Sequence, residues 1–461
     1  MLDPHPDLTL DVIHGLGWLY LILAAMNFTW GVYVFRRGRH FRTALGGLLN
    51  HPQEIPSAAP WFLYTTFLTL IAVVHLVKNS DPDAFVIRLP LLFKNFVNTI
   101  VASPSVYFAL SIIGFALVVS LRKWLVKSTV AWTLLNIGLL FMALSMTDYN
   151  FRQIVGKPDN VPIVSMLFIV GFFTWLYFKR AVENDERIAA GRPVLEAEKN
   201  EKVLVWPDLV YTELICMVVL TAILVAWGIV LQAPLEEPAS SVRTPNPSKA
   251  PWYFLGLQEM LVYYDPWLAG VVFPSLIIVG LMAIPYIDFN KKGNGYYSYQ
   301  ERSFAILTFM FGFLPLWIAT IILGTFLRGP NWNIFGIYEF WDVHKLEVLN
   351  NVNLSEYFWL NWMGSSLPVA PADAGTWTKV GYIFLREWLG FAAIFAYFFL
   401  MPPLLARTRF FAKFYARMGF IRYMVFANLL LWMAALPIKM LLRWTVNLKY
   451  IVGIPEWFFN I

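Results

Sequence analysis

A short aromatic segment in the second half of the chain carries the residue types best suited to proton chemistry. Residues 252–264 read WYFLGLQEMLVYY, and a proline-rich approach precedes them. Because proline favours an extended approach or the first turn of a helix, the pattern predicts a short helix with Ser248 as its N-cap. Trp252 and Leu255 would share a face with Glu259, at helical spacings. A carboxylate among aromatic rings at hydrocarbon depth resists ionisation, which suits a proton acceptor.

The residues of this predicted helix leave two interpretations open. Glu259 either accepts a proton in a pocket, helped by Tyr253, or is a surface carboxylate on the exposed face of an interfacial helix. Trp252 and Tyr253 would serve equally well as anchors at the membrane surface, where tryptophan and tyrosine are enriched.

The composition places this segment in a membrane protein. Of 461 residues, 59% are hydrophobic and only 14% are charged, against about 25% charged in a soluble domain. This excludes an ordinary cytoplasmic enzyme, a disordered chain and a nucleic-acid-binding protein. Runs of about 20 apolar residues predict ten membrane-spanning helices. They lie near residues 13–35, 60–77, 104–121, 129–147, 162–178, 208–231, 267–286, 304–326, 380–402 and 424–444. The predicted fold is an all-α polytopic transmembrane bundle of about ten spans, with one short interfacial helix in an outer loop.

The positions of lysine and arginine predict an orientation for this bundle. On alternate loops the basic residues are concentrated on one side, up to the last span, which Pro437, Lys439 and Arg443 interrupt. Because basic loops stay in the cytoplasm, both termini are expected to face outward. We therefore expect a multi-pass protein of the bacterial cytoplasmic (inner) membrane with its N-terminus outside, and with the short helix on the outer face.

Several motifs in the second half follow one another in a specific order. They are WPDLVY at 206–211, APLE at 233–236, TPNP at 244–247, WYFL at 252–255 and PYID at 285–288. Together they resemble the C-terminal half of cytochrome b, and most closely the separate subunit IV of bf-type complexes, over roughly residues 200–330. The resemblance implies a membrane subunit of a bacterial quinol:cytochrome c oxidoreductase. The short helix would then form a wall of the outer quinol-oxidation site and support electron transfer coupled to proton release.

One departure from the family pattern concerns the proton acceptor. The family motif is Pro-Glu-Trp-Tyr, whereas this chain has APWY at 250–253, with proline in place of the glutamate. Glu259 lies about 12 Å further along a helix and cannot occupy the same position. The resemblance and the spacing together give Glu259 and Tyr253 as catalytic candidates, and Pro251, Trp252, Phe254 and Leu255 as quinone-binding candidates. A non-redox scaffold that anchors a respiratory or photosynthetic supercomplex is the alternative function.

The histidines and the one cysteine bear on cofactors. The histidines are His5, His14, His40, His51, His75 and His344. The family holds two b haems by histidine pairs on two helices, but no two of these histidines share a predicted span. The resemblance therefore implies that haem b belongs to a di-haem partner like the N-terminal half of cytochrome b, beside a Rieske iron-sulfur or c-type cytochrome subunit. His14 and His75, both near the outer face, remain candidate haem ligands, with hydrogen-bonded or interfacial histidines as the alternative. Because Cys216 is the single cysteine in the sequence, the chain cannot form a metal site from several cysteines.

The predicted spans and loops divide the chain into five regions. Residues 1–180 form a block of about five spans without an assigned function, and 181–205 form a charged cytoplasmic linker. Residues 206–330 are the region of family resemblance, 331–379 an outer tryptophan-rich cap, and 380–461 the C-terminal helices. Arg386 and Glu387, in the ninth span, are expected to pair with each other or with another subunit.

Overall fold

The computed structural model is an almost entirely helical protein, which confirms the predicted fold class. It describes residues 8–38, 40–42, 54–78, 86–198, 201–232, 235, 238–291 and 297–461. His5, His51 and residues 233, 234 and 236 lie outside the described residues. The described residues include two antiparallel strand pairs, β1 (His40–Arg42) with β2 (Glu54–Pro56) and β3 (Gly453–Ile454) with β4 (Phe459–Asn460).

The helices supply the membrane spans. They are α1 (Leu10–Arg36), α2 (Ala59–Val77), α3 (Leu91–Val101), α4 (Pro104–Ser120), α5 (Arg122–Leu125), α6 (Ser128–Ser145), α7 (Tyr149–Val155), α8 (Val161–Ala189), α9 (Leu195–Glu198), α10 (Val205–Val230), α11 (Trp252–Met260), α12 (Leu268–Ile287), α13 (Tyr299–Leu327), α14 (Leu354–Glu356, continued by Tyr357–Trp362), α15 (Thr376–Ala406) and α16 (Phe411–Val446). In the described part of the chain, nine of them are long and apolar enough to cross a membrane, and the bent pair α3 and α4 would make a tenth. The chain is thus a multi-pass membrane protein with about the predicted number of spans.

The predicted third span, 104–121, is one arm of that bent pair. The arms α3 and α4 meet at 94°. Ser103, between them, has an extended backbone with φ −58° and ψ 127°, because a residue before proline avoids the helical conformation. Pro104 then begins α4, where its missing N–H costs nothing. The first arm is short and contains Lys94, so no run of 20 apolar residues marks it in the sequence.

The described helices fall into two compact units. Unit 1 comprises Met1–Thr99, Trp124–Val164 and Ile337–Phe340. In it α1 packs directly on α2, and a Cβ added at Gly17 would lie 2.8 Å from the Leu76 side chain and 3.2 Å from the His75 Cβ. Helix α6 joins α1 through Asn27, whose Nδ2 donates to Asn136 Oδ1 at 2.6 Å. Small residues and interhelical hydrogen bonds are the usual means by which spans associate in lipid.

Tyr338 fastens a piece of the predicted outer cap into unit 1. Its ring stacks on Phe151 with centroids 5.6 Å apart, and its hydroxyl lies 2.8 Å from Ser145 Oγ. Its backbone N–H donates to Asn98 Oδ1 at 3.0 Å, and its carbonyl accepts from Asn150 Nδ2 at 3.2 Å. Because the hydroxyl, the N–H and the carbonyl of this buried tyrosine all have hydrogen-bond partners, its position in unit 1 is well defined.

Unit 2 comprises Ile100–Lys123, Ser165–Gly336 and Trp341–Ile461. Its main core includes Tyr263, Leu268, Phe273, Leu316 and Met440. These residues belong to the segment after α11 and to α12, α13 and α16, and Phe108 of α4 lies in the same core. The short helix therefore leads directly into a core to which four helices contribute. The boundaries of the two units differ from those of the five regions expected from the sequence. The five regions were defined by expected function, and they stay predictions.

The basic residues that interrupt the predicted last span are accommodated inside α16. Lys439 is buried, and its Nζ donates to the Lys449 carbonyl at 2.6 Å. Arg443 Nη1 donates to the carbonyls of Asn350 at 2.8 Å and Asn447 at 3.1 Å. Backbone carbonyls therefore take the place of water around these charges.

An ionic cluster anchors the β3–β4 hairpin on α15. Arg386 Nε donates to Glu387 Oε1 at 3.0 Å, which confirms the expected pair. Arg386 also forms two hydrogen bonds of 2.8 Å to Glu456, and the Gly453 N–H donates to Glu387 Oε2 at 3.1 Å. The bidentate geometry ties the hairpin to the span through a charge-assisted contact.

Replacing Gly390 by alanine is expected to destabilise the protein by about 1–3 kcal/mol. A Cβ at this position of α15 would lie 2.1 Å from the Ile451 carbonyl oxygen, so the backbone leading to β3 would have to move. Gly381, on the same helix, has no atom within 4 Å of its Cβ position. Gly381→Ala is therefore the matched control and should be neutral or slightly stabilising. Thermal unfolding of both variants in one detergent tests this, and equal behaviour would contradict it.

Candidate functional site

The short aromatic helix α11 begins at Trp252, as predicted, and ends at Met260, about one turn before residue 264, where the sequence predicted its end. Pro251 is the N-cap residue and no side chain caps the helix, so the prediction of Ser248 as N-cap is wrong. Gln258 organises the approach from within the helix. Its Oε1 accepts from the Ala250 N–H at 2.8 Å, and its Nε2 donates to the Ser248 carbonyl at 2.8 Å. A glutamine two turns into α11 thus holds the proline-rich segment in place.

Helix α11 has one buried and one exposed side. Leu255 and Glu259 are 2% and 0% exposed, so the face predicted from their spacing is confirmed. A Cβ at Gly256 would lie 3.1 Å from Thr320 Oγ1, which shows how closely α11 approaches α13. Trp252, predicted to share this face, begins the helix and is 39% exposed.

Glu259 is held in a buried ion pair with Arg328, the residue that follows α13. Arg328 Nη2 and Nε donate to Glu259 Oε1 and Oε2 at 2.8 and 2.9 Å, and Tyr263 Oη donates to Oε1 at 3.3 Å. Arg328 Nη1 also donates to the Trp332 carbonyl at 2.8 Å. The interpretation of Glu259 as an exposed surface carboxylate is wrong. Both of its oxygens have donors, and the pair links α11 to the end of α13.

The negative charge of Glu259 stabilises the positive charge of Arg328. Burial alone would lower the pKa of Arg328, but the charge of Glu259 and its hydrogen bonds outweigh burial and raise it. Burial raises the pKa of Tyr263 well above its usual value, so this phenol stays protonated and donates to the carboxylate. A buried charge is tolerated only when it is paired in this way.

Three aromatic side chains in the first turn of α11 are exposed. We call Trp252, Tyr253 and Phe254 the aromatic edge; their exposed fractions are 39%, 48% and 50%. Trp252 and Tyr253 are nearly perpendicular with centroids 5.6 Å apart, and Tyr253 and Phe254 are 4.7 Å apart. Pro251 is exposed beside them, whereas Leu255 lies behind them against Gly324. Of the four quinone-binding candidates, Leu255 is buried and the other three are exposed, as is the catalytic candidate Tyr253.

The loops on either side of this site are joined by polar contacts. Asn246 Nδ2 donates to Asn331 Oδ1 at 2.9 Å, and the Asn331 N–H donates back to Asn246 Oδ1 at 2.6 Å. Lys249 Nζ donates to the Thr325 carbonyl at 2.7 Å and lies 4.7 Å from the Trp341 ring centre. The approach to α11 is thus fixed to the segment that carries Arg328.

The C-terminal end of α11 is held by a lysine from beyond α16. Lys449 Nζ donates to the carbonyls of Leu261 and Val262, both at 3.1 Å. Burial, and then the nearby charge of Arg443, lowers the pKa of Lys449. A cation at this point complements the last carbonyls of a helix.

Replacing Lys449 by methionine is expected to reduce the stability of the protein by about 1–3 kcal/mol, because the Leu261 and Val262 carbonyls lose their donor. Lys413 is exposed on α16, so Lys413→Met is the charge-matched control and should unfold at the temperature of the unaltered protein. Thermal unfolding measures the effect. A loss of the same size in both variants would contradict the capping role.

An open cleft of about 500 Å³ lies beyond the end of α11. It is lined by Asp265, Pro266, Asn353, Tyr450, Pro455, Phe458 and Asn460. None of these residues belongs to the aromatic edge. The side chains of the aromatic edge are 39–50% exposed on unit 2.

The candidate haem ligands His14 and His75 lie on helices that pack against each other. His14 Nε2 donates to the Lys78 carbonyl at 2.9 Å, and His75 Nδ1 donates to the Ile71 carbonyl at 2.8 Å. Tyr20 lies edge-on to His75 with ring centroids 5.4 Å apart. Because α1 and α2 touch at this depth, the residues present do not fit a haem held between them. The geometry supports the alternative of hydrogen-bonded histidines.

Sequence reasoning missed three residues of this site: Gln258, Arg328 and Lys449. Arg328 and Lys449 have partners far along the chain. The partners of Gln258 are backbone groups, which every residue type carries, so their spacing does not reveal the contact. One signal existed for Arg328, because an arginine at the very end of an apolar span needs a partner.

Comparison with known families supports the resemblance in this region. Residues 238–328 match the family described as cytochrome b(C-terminal)/b6/petD. The match contains α11, the aromatic edge and both members of the Glu259–Arg328 pair, and it supports a cytochrome b C-terminal-type domain there. It does not extend to WPDLVY at 206–211 or to the N-terminal block. It fits a membrane subunit of a bc or bf-type electron-transport complex. No solved structure matches the chain.

Proposed function

We propose that this chain is a membrane subunit of a bacterial bc/bf-type quinol:cytochrome c oxidoreductase, and that its aromatic edge forms one wall of the outer quinol-oxidation site. The observation that supports this most is the arrangement of α11 inside the matched region. A buried ion pair fixes the C-terminal end of the helix, and its first turn presents three exposed aromatic rings. A rigid support with an open aromatic surface is suited to bind a flat, apolar ring.

In this proposal the exposed residues contact the quinol. Trp252 and Phe254 pack on its ring with Pro251 beside them, and the Tyr253 hydroxyl hydrogen-bonds to a quinol hydroxyl. Leu255 supports the aromatic edge from behind. Oxidation removes two electrons and two protons from the quinol. The electrons pass to redox partners, and the protons are released on the outer side.

For Glu259 we propose a positioning role. The prediction that it accepts the quinol proton stays open, but its geometry favours the other role. A carboxylate whose oxygens already accept from Arg328 and Tyr263 would have to leave both donors before it could reach a substrate. A water at the outer surface, next to Tyr253, is then the simplest proton acceptor.

The partners follow from the same proposal. A di-haem subunit like the N-terminal half of cytochrome b would carry haem b, and a Rieske iron-sulfur or c-type cytochrome subunit would receive electrons at the outer face. The protein would lie in the bacterial cytoplasmic membrane with its N-terminus outside. Residues 1–180 stay a block without an assigned function.

Purification of the native complex tests this function. We expect a b-type haem spectrum that depends on a co-purifying subunit, and quinol:cytochrome c reductase activity. A complex that contains this chain, has no haem protein and oxidises no quinol would overturn the proposal.

A non-redox scaffold is the second candidate function, and one observation favours it. Pro251 stands where the family motif has a glutamate, and Glu259, the carboxylate on α11, is fully buried. A scaffold would retain the fold without a proton acceptor. The same purification separates the two, because a scaffold would co-purify with redox proteins whose quinol oxidation is unchanged by substitutions in the aromatic edge.

A further inference from the structure

In unit 1, three tryptophans from different spans meet beside basic side chains. Trp30 of α1 stacks on Trp132 of α6 with centroids 5.0 Å apart, and it lies edge-on to Trp61 of α2 at 6.3 Å. Tyr33 follows at 5.3 Å from Trp30, and the Arg37 guanidinium lies 4.5 Å from the centre of the Tyr33 ring. We call Trp30, Trp61 and Trp132 the tryptophan cluster. It lies where α1 ends and where α2 and α6 begin, which is the level of the lipid headgroups.

Buried hydrogen bonds fix the tryptophan cluster in place. Trp132 Nε1 donates to Asn27 Oδ1 at 2.9 Å, and Asn27 Nδ2 donates to Asn136 Oδ1 at 2.6 Å. Asn27 is fully buried between α1 and α6. Since this polar clamp locks the indole of Trp132, the cluster is a preformed aromatic wall and not a set of independent anchors.

Three basic residues lie next to the ends of two spans that carry the tryptophan cluster. Arg36 ends α1, Arg37 follows it, and Lys127 precedes α6; all three are exposed. Within the ranges that the structure describes, none of them forms an ion pair with a carboxylate. Three cations at headgroup level beside a rigid aromatic wall make a surface that is complementary to an anion carrying an apolar part.

We propose that this end of unit 1 binds an anionic phospholipid. The phosphate lies between the guanidinium groups of Arg36 and Arg37, whose planar donors match phosphate oxygens. The glycerol and the first acyl carbons lie against the tryptophan cluster. Because the site is at the membrane surface, a lipid meets it at high local concentration. The inference does not depend on the redox role proposed above.

Lipid binding to the purified complex tests this site. The delipidated protein is titrated in detergent with phosphatidylglycerol or phosphatidylcholine, and bound lipid is counted by native mass spectrometry. We expect phosphatidylglycerol to bind at least tenfold more tightly. Each cation near an anionic headgroup contributes about fivefold in affinity, so Arg37→Gln should weaken phosphatidylglycerol binding about fivefold. Lys157→Gln, which removes an exposed charge elsewhere in unit 1, should leave it unchanged.

One further variant and one competition measurement test the phosphate contact and the identity of the ligand. Arg37→Lys retains the charge and should keep most of the preference, so a loss equal to that of Arg37→Gln would contradict a phosphate contact that rests on charge. Inorganic phosphate at millimolar concentration should not displace the lipid, and full displacement would overturn the assignment to a phospholipid. Equal affinity of the unaltered protein for both lipids would overturn it without any variant.

Discussion

Replacing Arg328 by methionine is expected to lower the free energy of unfolding by about 3–5 kcal/mol. The change leaves the Glu259 carboxylate fully buried without its cation, and it also frees the Trp332 carbonyl that Arg328 Nη1 holds. The ion pair spans 69 positions of the chain and joins α11 to the end of α13. Its loss should therefore release α11, and quinol oxidation should fall together with the melting temperature.

A second substitution separates the ion pair from a general packing effect. Adding Glu259→Gln to Arg328→Met removes the unpaired charge, and the double variant should regain most of the lost stability, because two groups in direct contact are not additive. Glu259→Gln alone should cost less than Arg328→Met, since the arginine keeps a carbonyl partner. A double variant as unstable as the sum of the two single ones would contradict the coupling.

The same variants decide the role of Glu259. If it only positions α11, the activity of Glu259→Gln should follow its stability and keep the pH profile of the unaltered protein. If it accepts the quinol proton, kcat should fall in a folded protein and one limb of the pH profile should disappear.

Replacing Tyr253 by leucine is expected to lower kcat/KM for quinol about tenfold or more without a change in unfolding temperature. The ring is 48% exposed, so its removal costs little packing within the chain. An aromatic contact and a hydroxyl hydrogen bond each contribute roughly 1 kcal/mol to a bound ring, and about 1.4 kcal/mol corresponds to a factor of ten.

Tyr286 offers a matched control for this substitution. It is 74% exposed and lies near the far end of α12 from α11, so Tyr286→Leu removes an even more accessible ring away from the aromatic edge. Its kcat/KM should equal that of the unaltered complex. A similar loss in both variants would assign the effect to membrane anchoring, the other interpretation of these aromatic residues.

Local pattern was enough to predict most of the fold. Apolar runs of spanning length predicted the helices, and spacing predicted that Leu255 and Glu259 share a face of α11, because both signals depend on residues close in the chain. The bent pair α3 and α4 was only half predicted. Its first arm is shorter than a span, and the bend is set by the extended residue before Pro104.

The site was predicted only in its local part. Trp252, Tyr253 and Phe254 were candidates from the sequence, but the partner of Glu259 was not, since Arg328 reaches it from the end of α13. The same holds for Lys449, which comes from beyond α16 to the end of α11. Long-range pairs of this kind are determined by how the spans pack, and spans that are apolar on all sides carry little periodicity to predict it.

Photolabelling with a reactive quinone analogue tests the central claim most directly. The analogue is bound to the purified complex, illuminated, and its attachment sites are mapped by peptide mass spectrometry, with excess native quinone as competitor. We predict competed labels at Trp252, Tyr253 or Phe254, and their loss in Tyr253→Leu. Competed labelling only on other subunits or other segments, in a complex that oxidises quinol, would contradict the assignment of the aromatic edge to the quinol site.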